Sequence, residues 1–320
     1  MSQQVAVRNK ILTQRKKSKV WKKVKAYRLY YILMLPGLIY FLVYKYLPMA
    51  GVVIAFKDVM PFDGLQGILK APWVGFENFR LFLSSKFFFN IMGNTLAISL
   101  YNLIFGFPAP IIFALLLNEV TSSKYKKLVQ SVSYLPHFLS IVIVSGMVFN
   151  LLSPNGGLVN EVIKLFGGEP IYFVGSKEYI RGVIVGSTIW QDIGWSSIIY
   201  LAAITGVPEE LYEAATIDGA NVFQKIWNVT LPGIMFTVSI MFILAIGKIL
   251  DAGFERVLLL YSPGVYSKAD IIDTYVYRTG ITDLRYSYSA AVGLFKSVFS
   301  LILVLITNRA AKKMGQSSLW

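Results

Sequence analysis

Six windows of about 20 mostly apolar residues recur along this 320-residue chain, and they constrain its fold more than any other feature. Each window is long enough to cross the roughly 30 Å hydrocarbon core of a bilayer as a helix. Hydrophobic residues make up 55% of the chain, whereas soluble domains contain about 45–50%. The sequence therefore predicts an all-α integral membrane protein with six transmembrane helices, at about 29–55, 90–117, 128–152, 180–204, 232–252 and 286–308.

Prolines interrupt two of these windows. Lys45 and Pro48 lie in the first window, and Pro108 and Pro110 lie in the second. Proline has no N–H to donate and clashes with the carbonyl four residues earlier, so we expect kinks at these positions.

Positive charge is concentrated at the N-terminus. The net charge is +14, and residues 1–28 carry ten Lys and Arg without a single Asp or Glu. A basic segment directly before an apolar helix is typical of the cytoplasmic side of a membrane protein, where anionic lipids attract it. No nucleic-acid-binding module follows, and no small-residue cleavage site ends the first window, so we interpret 1–28 as a retained cytoplasmic leader.

The same rule predicts the topology of the whole chain. With six spans, 17 Lys and Arg residues lie on the predicted inner side and 10 on the predicted outer side. This asymmetry comes from the leader and the first inner loop. We therefore expect both termini in the cytoplasm, with a transmembrane domain at 29–311 and a short tail at 312–320. The predicted cytoplasmic loops are 118–127 and 205–231, and the predicted external loops are 56–89, 153–179 and 253–285.

The chain has no cysteine, which excludes disulfides, thiolate catalysis and Cys-ligated metals. Its single histidine, His137, has no second His or Cys to complete a metal site, so we expect a structural role. The nearest approach to a nucleotide-binding G-x-x-x-x-G-K-S/T run is Gly247-Lys248, which Ile249 follows where Ser or Thr is needed.

The predicted cytoplasmic loop at 205–232 has readable local structure. Pro208 suits the start of a helix, and the two following glutamates suit the positive end of the helix dipole. Gly219 permits a left-handed turn, Asn221 can cap a second helix, and Pro232 closes the segment. This pattern therefore predicts two short helices joined by a turn. The helices either bind another protein or only connect two spans.

The spacing within this loop is specific. Glu213-Ala214-Ala215, then Gly219 after three more residues, then Leu231-Pro232, resembles the EAA loop of permease subunits in ATP-binding cassette importers. The surrounding residues resemble the maltose and glycerol-phosphate branch, which imports sugars, and most of all the Gram-positive permeases for complex oligosaccharides, including those from pectin-like polymers. Phe236 departs from the family pattern, in which many members carry a second proline.

Weaker motifs extend the resemblance from about 29 to 311, in the order that the family has them. They are Asn94-Thr95-Leu96, Tyr134-Leu135-Pro136, Gly156-Gly157-Leu158-Val159-Asn160 and Asp273-Thr274-Tyr275-Val276-Tyr277. The resemblance implies the six-helix type I importer fold, with a half-pore that pairs with a second homologous permease. It also implies two cytoplasmic ATPase subunits that hold the ATP and Mg²⁺, an external solute-binding protein that delivers the sugar, and no cofactor on this chain.

The resemblance also assigns roles within the loop. Glu213 would contact the ATPase, Ala214 and Ala215 would allow close approach, and Gly219 would make the turn. The full set of predicted coupling residues is Glu213, Ala214, Ala215, Asp218, Gly219, Leu231 and Pro232.

A sugar path needs aromatic platforms beside amides or carboxylates. Residues of this kind lie inside the spans, and the candidates are Trp190, Gln191, Asp192, Trp195, Asn102, Lys248 and Asp251. For the two tryptophans, packing against other helices is the structural alternative.

The ionisable candidates have two interpretations. Lys248 and Asp251 are three residues apart in the fifth window, so they would share a helix face and form a mutual salt bridge. Alternatively, Lys248, Lys296 and Arg181 would bind the carboxylates of an acidic sugar. Gly182 and Gly186 form a small-xxx-small pattern, for which we expect close helix packing.

Two other function classes are open to a membrane protein of this kind. A self-contained secondary carrier would need ion-coupling residues and would work without an ATPase. A membrane-embedded transferase would need acids or histidines clustered near one membrane face, and the only cluster is the set of loop acids that helix ends and docking explain better. We therefore interpret the chain as a non-enzymatic permease subunit at the cell membrane.

Overall fold

The computed structural model of the chain describes residues 25–60 and 64–313. The predicted leader up to residue 24 and the last seven residues of the predicted tail lie outside this part. The described residues form helices and turns without a strand, apart from one isolated bridge between Lys57 and Trp73. The all-α prediction is confirmed.

The chain divides into two compact units, 1–53 and 54–320. The first unit contains helix α1 (Arg28–Phe41), one π-helical turn (Leu42–Tyr46) and the short helix α2 (Leu47–Met49). None of the side chains of α1 is buried. An apolar helix without a buried face requires lipid or another protein around it.

The second unit holds the remaining helices. Its first half contains α3 (Gly64–Lys70), α4 (Glu77–Leu83), α5 (Phe88–Tyr101), α6 (Pro108–Asn118), α7 (Ser123–Tyr134), α8 (Ile141–Leu152) and α9 (Leu158–Leu165). Its second half contains α10 (Ile180–Ile204), α11 (Glu209–Ile217), α12 (Val222–Lys225), α13 (Leu231–Gly247), α14 (Phe254–Leu260), α15 (Tyr266–Ala269), α16 (Ile272–Tyr277) and α17 (Tyr286–Lys313).

Helix α10 is the centre of this unit. It packs against α6, α7 and α13, and at its other end against α14 and α15. Two apolar clusters form along it: Ile180 and Ile184 pack with α14, whereas Tyr200 and Ile204 pack with α6 and α13. A third cluster, around Phe82 of α4, joins α5, α16 and α17.

Three π-helical turns in the described residues each precede a proline. A turn at Leu42–Tyr46 precedes Pro48, one at Asn102–Gly106 precedes Pro108, and one at Ile226–Thr230 precedes Pro232. In a regular α-helix the proline ring would clash with the carbonyl four residues earlier, and proline has no N–H to donate to it. The extra residue of a π turn moves that carbonyl away from the ring. The prolines predicted to bend the first two windows thus each follow a π-helical turn, and Pro232 follows the same rule.

The window at 128–152 is not one straight helix, contrary to the prediction. Helix α7 continues into a 3₁₀ turn that ends at Phe138, and α8 starts at Ile141 with its axis turned by 105°. Pro136 lies in the 3₁₀ turn at the end of the first helix, and Leu139 after it has an extended backbone (φ −77°, ψ 141°). The Ser140 side chain then caps the second helix by accepting from the N–H of Ile143. The break therefore has a proline before it and a cap after it.

Four helical stretches in the described part are long and apolar enough to cross a membrane. They are Arg28–Phe56, Phe88–Asn118, Val222–Gly247 and Tyr286–Arg309, and the bent pair α7–α8 makes a fifth if it counts as one span. Helix α10 has 25 residues, but Gln191 and Asp192 in its middle lower its mean hydropathy. The count of six spans remains a prediction.

Buried polar side chains fasten the loops to the helices. Asn94 and Thr95 of α5 are almost fully buried: Asn94 Nδ2 donates to the carbonyl of Asp270 (3.0 Å), and Thr95 Oγ1 accepts from the N–H of Ile272 (3.0 Å). Asn160 is completely buried, with Nδ2 within 3.1 Å of three carbonyls and Oδ1 accepting from the N–H of Ile171 (2.7 Å). These residues belong to motifs noted in the sequence, and each serves as a clamp.

Replacing Asn160 by Ala should therefore destabilise the chain. The change leaves several buried backbone groups without a partner, and we expect a loss of about 3 kcal/mol in the free energy of unfolding. The measurement is the apparent Tm of the purified protein in detergent. The matched control is Asn155→Ala, because the side chain of Asn155 is exposed in the same loop; equal Tm values for both variants would contradict the clamp.

Candidate functional site

The loop at 205–232 contains the two helices that the sequence predicts, α11 and α12. Gly219 stands between them with φ 76°. Its N–H donates to the carbonyl of Thr216 (3.0 Å), and the N–H of Ala220 donates to the carbonyl of Ala215 (2.9 Å). This pair of bonds is a Schellman motif, which requires a left-handed residue and so favours glycine.

Reciprocal hydrogen bonds fix the second helix. Asn221 Oδ1 accepts from the N–H of Gln224 (2.9 Å), and Gln224 Oε1 accepts from the N–H of Asn221 (2.8 Å). Tyr212 O–H donates to Thr230 Oγ1 (3.0 Å), which fastens α11 to the π turn below it. The sequence predicted the Asn221 cap, whereas the roles of Tyr212 and Gln224 were missed. The capping box N-x-x-Q was the signal for Gln224.

The outer surface of this helix pair is apolar and exposed. Ile217 is 86% exposed, Phe223 82% and Trp227 73%. Glu213, Ala214 and Asp218 are exposed beside them, whereas Leu231 packs into the cluster of α6, α10 and α13 and Pro232 begins α13. An exposed apolar patch with a charged rim is typical of a protein-binding surface.

A cavity of about 460 Å³ lies between α5, α10 and α13. Three of the predicted path residues, Asn102, Lys248 and Asp251, line it together. Apolar side chains form most of its remaining wall, and the polar atoms concentrate at few points. The other lining residues are Ser99, Leu103, Gly106, Phe107, Pro110, Ser196, Tyr200, Met241, Leu244, Ala245 and Ile249.

Two buried polar atoms, which belong to residues of the cavity lining but have almost no accessible surface of their own, lack a hydrogen-bond partner in the described part of the chain. They are Ser99 Oγ, on a residue 6% exposed, and Asn102 Oδ1. Asn102 opens the π turn before Pro108 and is one of the lining residues of the cavity. Sequence reasoning missed Ser99, because a lone serine in an apolar window carries no distinguishing signal.

The charges at the cavity differ from the predicted arrangement. Helix α13 ends at Gly247, so Lys248 and Asp251 lie in the turn that follows it and not on a shared helix face. Asp251 instead pairs with Lys296 (3.6 Å), which also holds Asp273 (2.6 Å). Within the described residues Lys248 has no ion pair. The predicted mutual salt bridge between Lys248 and Asp251 is therefore wrong.

The other two cations proposed for an acidic sugar are already occupied. Lys296 binds Asp273 through both carboxylate oxygens (2.8 and 2.6 Å). Burial raises the pKa of Asp273, and the hydrogen bond from Lys296 lowers it. Arg181 donates to Asn94 Oδ1 (2.7 Å) and to the carbonyl of Lys268 (3.0 Å). Only Lys248 of the three lines the cavity.

A smaller cavity of about 150 Å³ adjoins the first and shares Asn102 with it. Asp192 lines this smaller cavity and binds His137 Nδ1 (2.9 Å). The His137 ring stacks on Trp195 at 4.8 Å with an interplanar angle of 3°. His137 thus has the structural contacts expected of it, and it joins the break between α7 and α8 to the middle of α10.

Gln191, the neighbour of Asp192 in α10, is buried. Its Nε2 donates to the carbonyl of Leu139 at the helix break (3.1 Å), and its Oε1 accepts from Arg256 Nη2. Arg256 is 4% exposed, and its Nη1 has no partner among the described residues. Burial lowers the pKa of Arg256, and the charge of Asp192 acts in the opposite direction. Sequence reasoning counted Arg256 only as a loop charge.

Trp190 lies away from both polar cavities. It lines an apolar groove of about 470 Å³ together with Gly182 and Gly186. A Cβ atom added at either glycine would meet nothing within 4 Å in the described part. The close helix packing predicted for this pair is therefore absent among the described residues, because the groove separates the two glycines from Met147 and Leu151 of α8 on its other wall.

The described residues contain no group of three or more His, Asp or Glu that could hold a metal ion. The polar groups that line the two adjoining cavities include the ammonium of Lys248, the amide of Asn102 and the carboxylates of Asp251 and Asp192.

Known proteins similar to this chain are transport proteins. It is 45% identical over 319 residues to the polygalacturonan/rhamnogalacturonan transport system permease protein YteP of Bacillus subtilis (strain 168), covering 100% of this chain and 98% of that protein. It is 47% identical over 290 residues to Protein LplB of the same organism, covering 91% and 90%.

A solved structure agrees with these relatives. The crystal structure of a bacterial alginate ABC transporter in complex with an alginate pentasaccharide-bound periplasmic protein contains a chain that matches with a TM-score of 0.86 and 40% sequence identity. The match covers 93% of this chain and 99% of that chain.

Residues 100–316 match the family described as the binding-protein-dependent transport system inner membrane component. The helical fold, the EAA loop and the relatives agree with this match. The chain therefore belongs to that family and is a permease subunit of an ATP-binding cassette importer, a transport component whose ATPase is a separate protein.

Proposed function

We propose that this permease carries an acidic oligosaccharide into the cell after an external solute-binding protein delivers it. The main support is the similarity along nearly the whole chain to permeases of importers for polygalacturonan, rhamnogalacturonan and alginate. The first and the last of these polymers are chains of uronic acids. The unpaired Lys248 at the cavity agrees with an anionic cargo.

The proposed topology has six spans with both termini in the cytoplasm. The bent pair α7–α8 forms the third span and α10 forms the fourth, with the polar middle of α10 turned to protein and cavity instead of lipid. Non-helical backbone and polar side chains are tolerated at membrane depth only where protein or a water-filled cavity surrounds them. The contacts of Gln191 with Leu139 and of Asp192 with His137 support this placement.

The loop at 205–232 is the proposed docking site for the ATPase. Ile217 and Phe223 would enter an apolar groove, Glu213 would make an ionic or polar contact, and Ala214 would let the backbones approach. Gly219 sets the angle between the two helices, and Ala215 accepts the hydrogen bond that closes the turn. Asp218, Leu231 and Pro232 would position the pair: Asp218 ends α11, and the other two join α12 to the span.

Transport would follow from this contact. ATP binding would close two ATPase subunits on each other and draw the loops of the two permeases together. Because the loop of this chain is fastened to its span through Tyr212 and Thr230, the spans would rock between inward-open and outward-open arrangements. The ATP and Mg²⁺ belong to the ATPase, and we propose no cofactor for this chain.

The proposed sugar path follows the two adjoining cavities. Asn102, Asp192, Lys248 and Asp251 line it. Trp195 and Gln191 would hold the wall of the path in place, because Trp195 stacks on His137 and Gln191 donates to the carbonyl of Leu139. Trp190, which we predicted as a platform, faces the apolar groove and remains the weakest member of the set.

Uptake of radiolabelled oligogalacturonate by cells tests the assignment. Uptake should stop when this gene, the gene of its partner permease or the ATPase gene is deleted, and it should return when the missing gene is restored. Uptake that continues without the ATPase would favour a secondary carrier. Uptake of only neutral oligosaccharides would contradict the acidic cargo.

Gly219→Asp and Glu213→Lys should each abolish uptake while the protein remains in the membrane. A Cβ at Gly219 is strained at φ 76°, and a lysine at 213 reverses a charge at the proposed contact. Uptake and membrane abundance are measured together. The control is Glu178→Lys, an exposed residue of a predicted external loop; normal uptake by both loop variants would refute the coupling assignment.

Phe223→Ser should weaken the association with the ATPase. Burial of a phenylalanine side chain contributes about 1.5–3 kcal/mol, so we expect roughly a tenfold loss of affinity or more. Binding of the purified ATPase to the permease pair in nanodiscs measures it. Phe166→Ser is the matched control, because Phe166 is 89% exposed in a predicted external loop; equal affinities for the two variants would exclude the apolar contact.

A further inference from the structure

Helix α7 buries none of its side chains, although it lies against α10. One of its faces meets α10 at Gly194, where the backbone of Ser133 leaves no room for a Cβ atom. A second face is apolar and open. Its side chains recur every three or four residues and are 58–63% exposed, and they are Tyr125, Leu128, Val132 and Leu135. This face therefore needs an apolar partner that the described residues do not supply.

An apolar groove of about 380 Å³ lies between this face and α10. Leu128 and Val132 line it from α7, and Trp190 lines it from α10. The Ser133 hydroxyl in its wall already donates to the carbonyl of Gln130 (3.1 Å). A groove of this kind suits a hydrocarbon chain, whereas it offers a sugar few hydrogen bonds. The other lining residues are Val129, Pro136 and Ile193.

Three lysines, Lys124, Lys126 and Lys127, lie in α7 within about one helical turn of the groove. None of them forms an ion pair with a described residue. The sequence has no Asp or Glu between Glu119 and Glu161. The helix dipole opposes cations in the first turn of a helix, so an anion beside them is favourable. The charge and the groove together favour a partner with an anionic head and an apolar chain.

The bend between α7 and α8 turns these features toward the surroundings of the span. Helix α8 follows α10, because it starts at the break that Gln191 holds and packs through Val148 against Ile184. Helix α7 is turned by 105° from α8 and therefore extends sideways from this pair. In the proposed topology the loop 118–127 is cytoplasmic, which brings the lysines to the inner leaflet. Anionic headgroups of that leaflet attract basic segments.

We propose that the groove between α7 and α10 binds an anionic phospholipid of the inner leaflet. The three lysines bind the phosphate-bearing headgroup, and Leu128, Val132 and Trp190 contact an acyl chain. The lipid fills the space beside the helix break and so supports α7 against α10. This site lies outside the proposed sugar path and depends on the proposed orientation of the chain, but not on its cargo.

Tryptophan fluorescence of the complete importer in nanodiscs tests the site. The bilayer is phosphatidylcholine with increasing phosphatidylglycerol, and one of the two lipids carries brominated acyl chains, which quench a tryptophan that they contact. Subtracting the signal of Trp190→Phe isolates Trp190 from the other tryptophans. The test variant replaces the three lysines of α7 by Gln. The control replaces three exposed lysines of the predicted external loops by Gln, namely Lys86, Lys177 and Lys268.

We expect brominated phosphatidylglycerol to quench Trp190 at a much lower mole fraction than brominated phosphatidylcholine. Loss of the three lysines of α7 should raise the mole fraction for half-maximal quenching by phosphatidylglycerol about tenfold or more, because each lysine contributes to the attraction of an anionic lipid. The control should behave like the unmodified importer. Free glycerol phosphate, which is the headgroup without acyl chains, should not prevent the quenching.

Equal quenching of Trp190 by the two lipids, or equal losses in the test and control variants, would overturn the site. Prevention of the quenching by free glycerol phosphate would mean that an anion binds there without a lipid. A benzophenone attached to Val132→Cys should cross-link to lipid, and cross-linking to the partner permease would show that protein covers this face instead. All these measurements are made without sugar, so failure of the acidic cargo would leave their results unchanged.

Discussion

The backbone of a membrane-spanning chain must satisfy its own hydrogen bonds, and the rest of this structure follows from that constraint. Helices do so within one segment, which is why the described residues are helical almost throughout. The constraint relaxes only where protein or water replaces lipid. The π turn at Asn102–Gly106 borders the larger cavity, and the break between α7 and α8 is held by Gln191 and Asp192 of α10.

Helix α10 illustrates how polarity and burial are balanced. Its ends pack into two apolar clusters, and its polar middle fastens the broken helix next to it. The same middle borders the smaller cavity through Asp192. A fully apolar helix would cross lipid more readily, but it could neither hold the break nor provide a polar wall. The residues that lower its hydropathy are therefore the ones that contact the broken helix and the smaller cavity.

Much of this arrangement was predictable from the sequence. Apolar windows predict the helices, prolines mark the irregular turns within them, and the Gly219 and Asn221 positions predict the turn and cap of the loop. These features are local, since each depends on residues within one or two helical turns. The EAA spacing added the family, and the comparisons confirm it.

The errors concern contacts between distant segments. Lys248 and Asp251 were expected to pair because they are close in sequence, yet Lys296 competes for the aspartate from another helix. Gly182 and Gly186 were expected to pack, yet within this chain nothing described covers them. Asn102 was predicted from its place in an apolar window, whereas Ser99 was missed, because only the fold shows which polar atoms lack a partner.

The absence of cysteine from the chain permits a direct test of the central claim, that the loop at 205–232 meets the ATPase inside the cell. Single cysteines replace Ile217 in the loop and Leu165 in α9, which are 86% and 83% exposed. In intact cells, a membrane-impermeant maleimide should label the cysteine at 165 and spare the one at 217. In inverted vesicles, a maleimide–benzophenone reagent should cross-link only position 217 to the ATPase. External labelling at 217, or cross-linking of the ATPase to position 165 instead, would contradict the account.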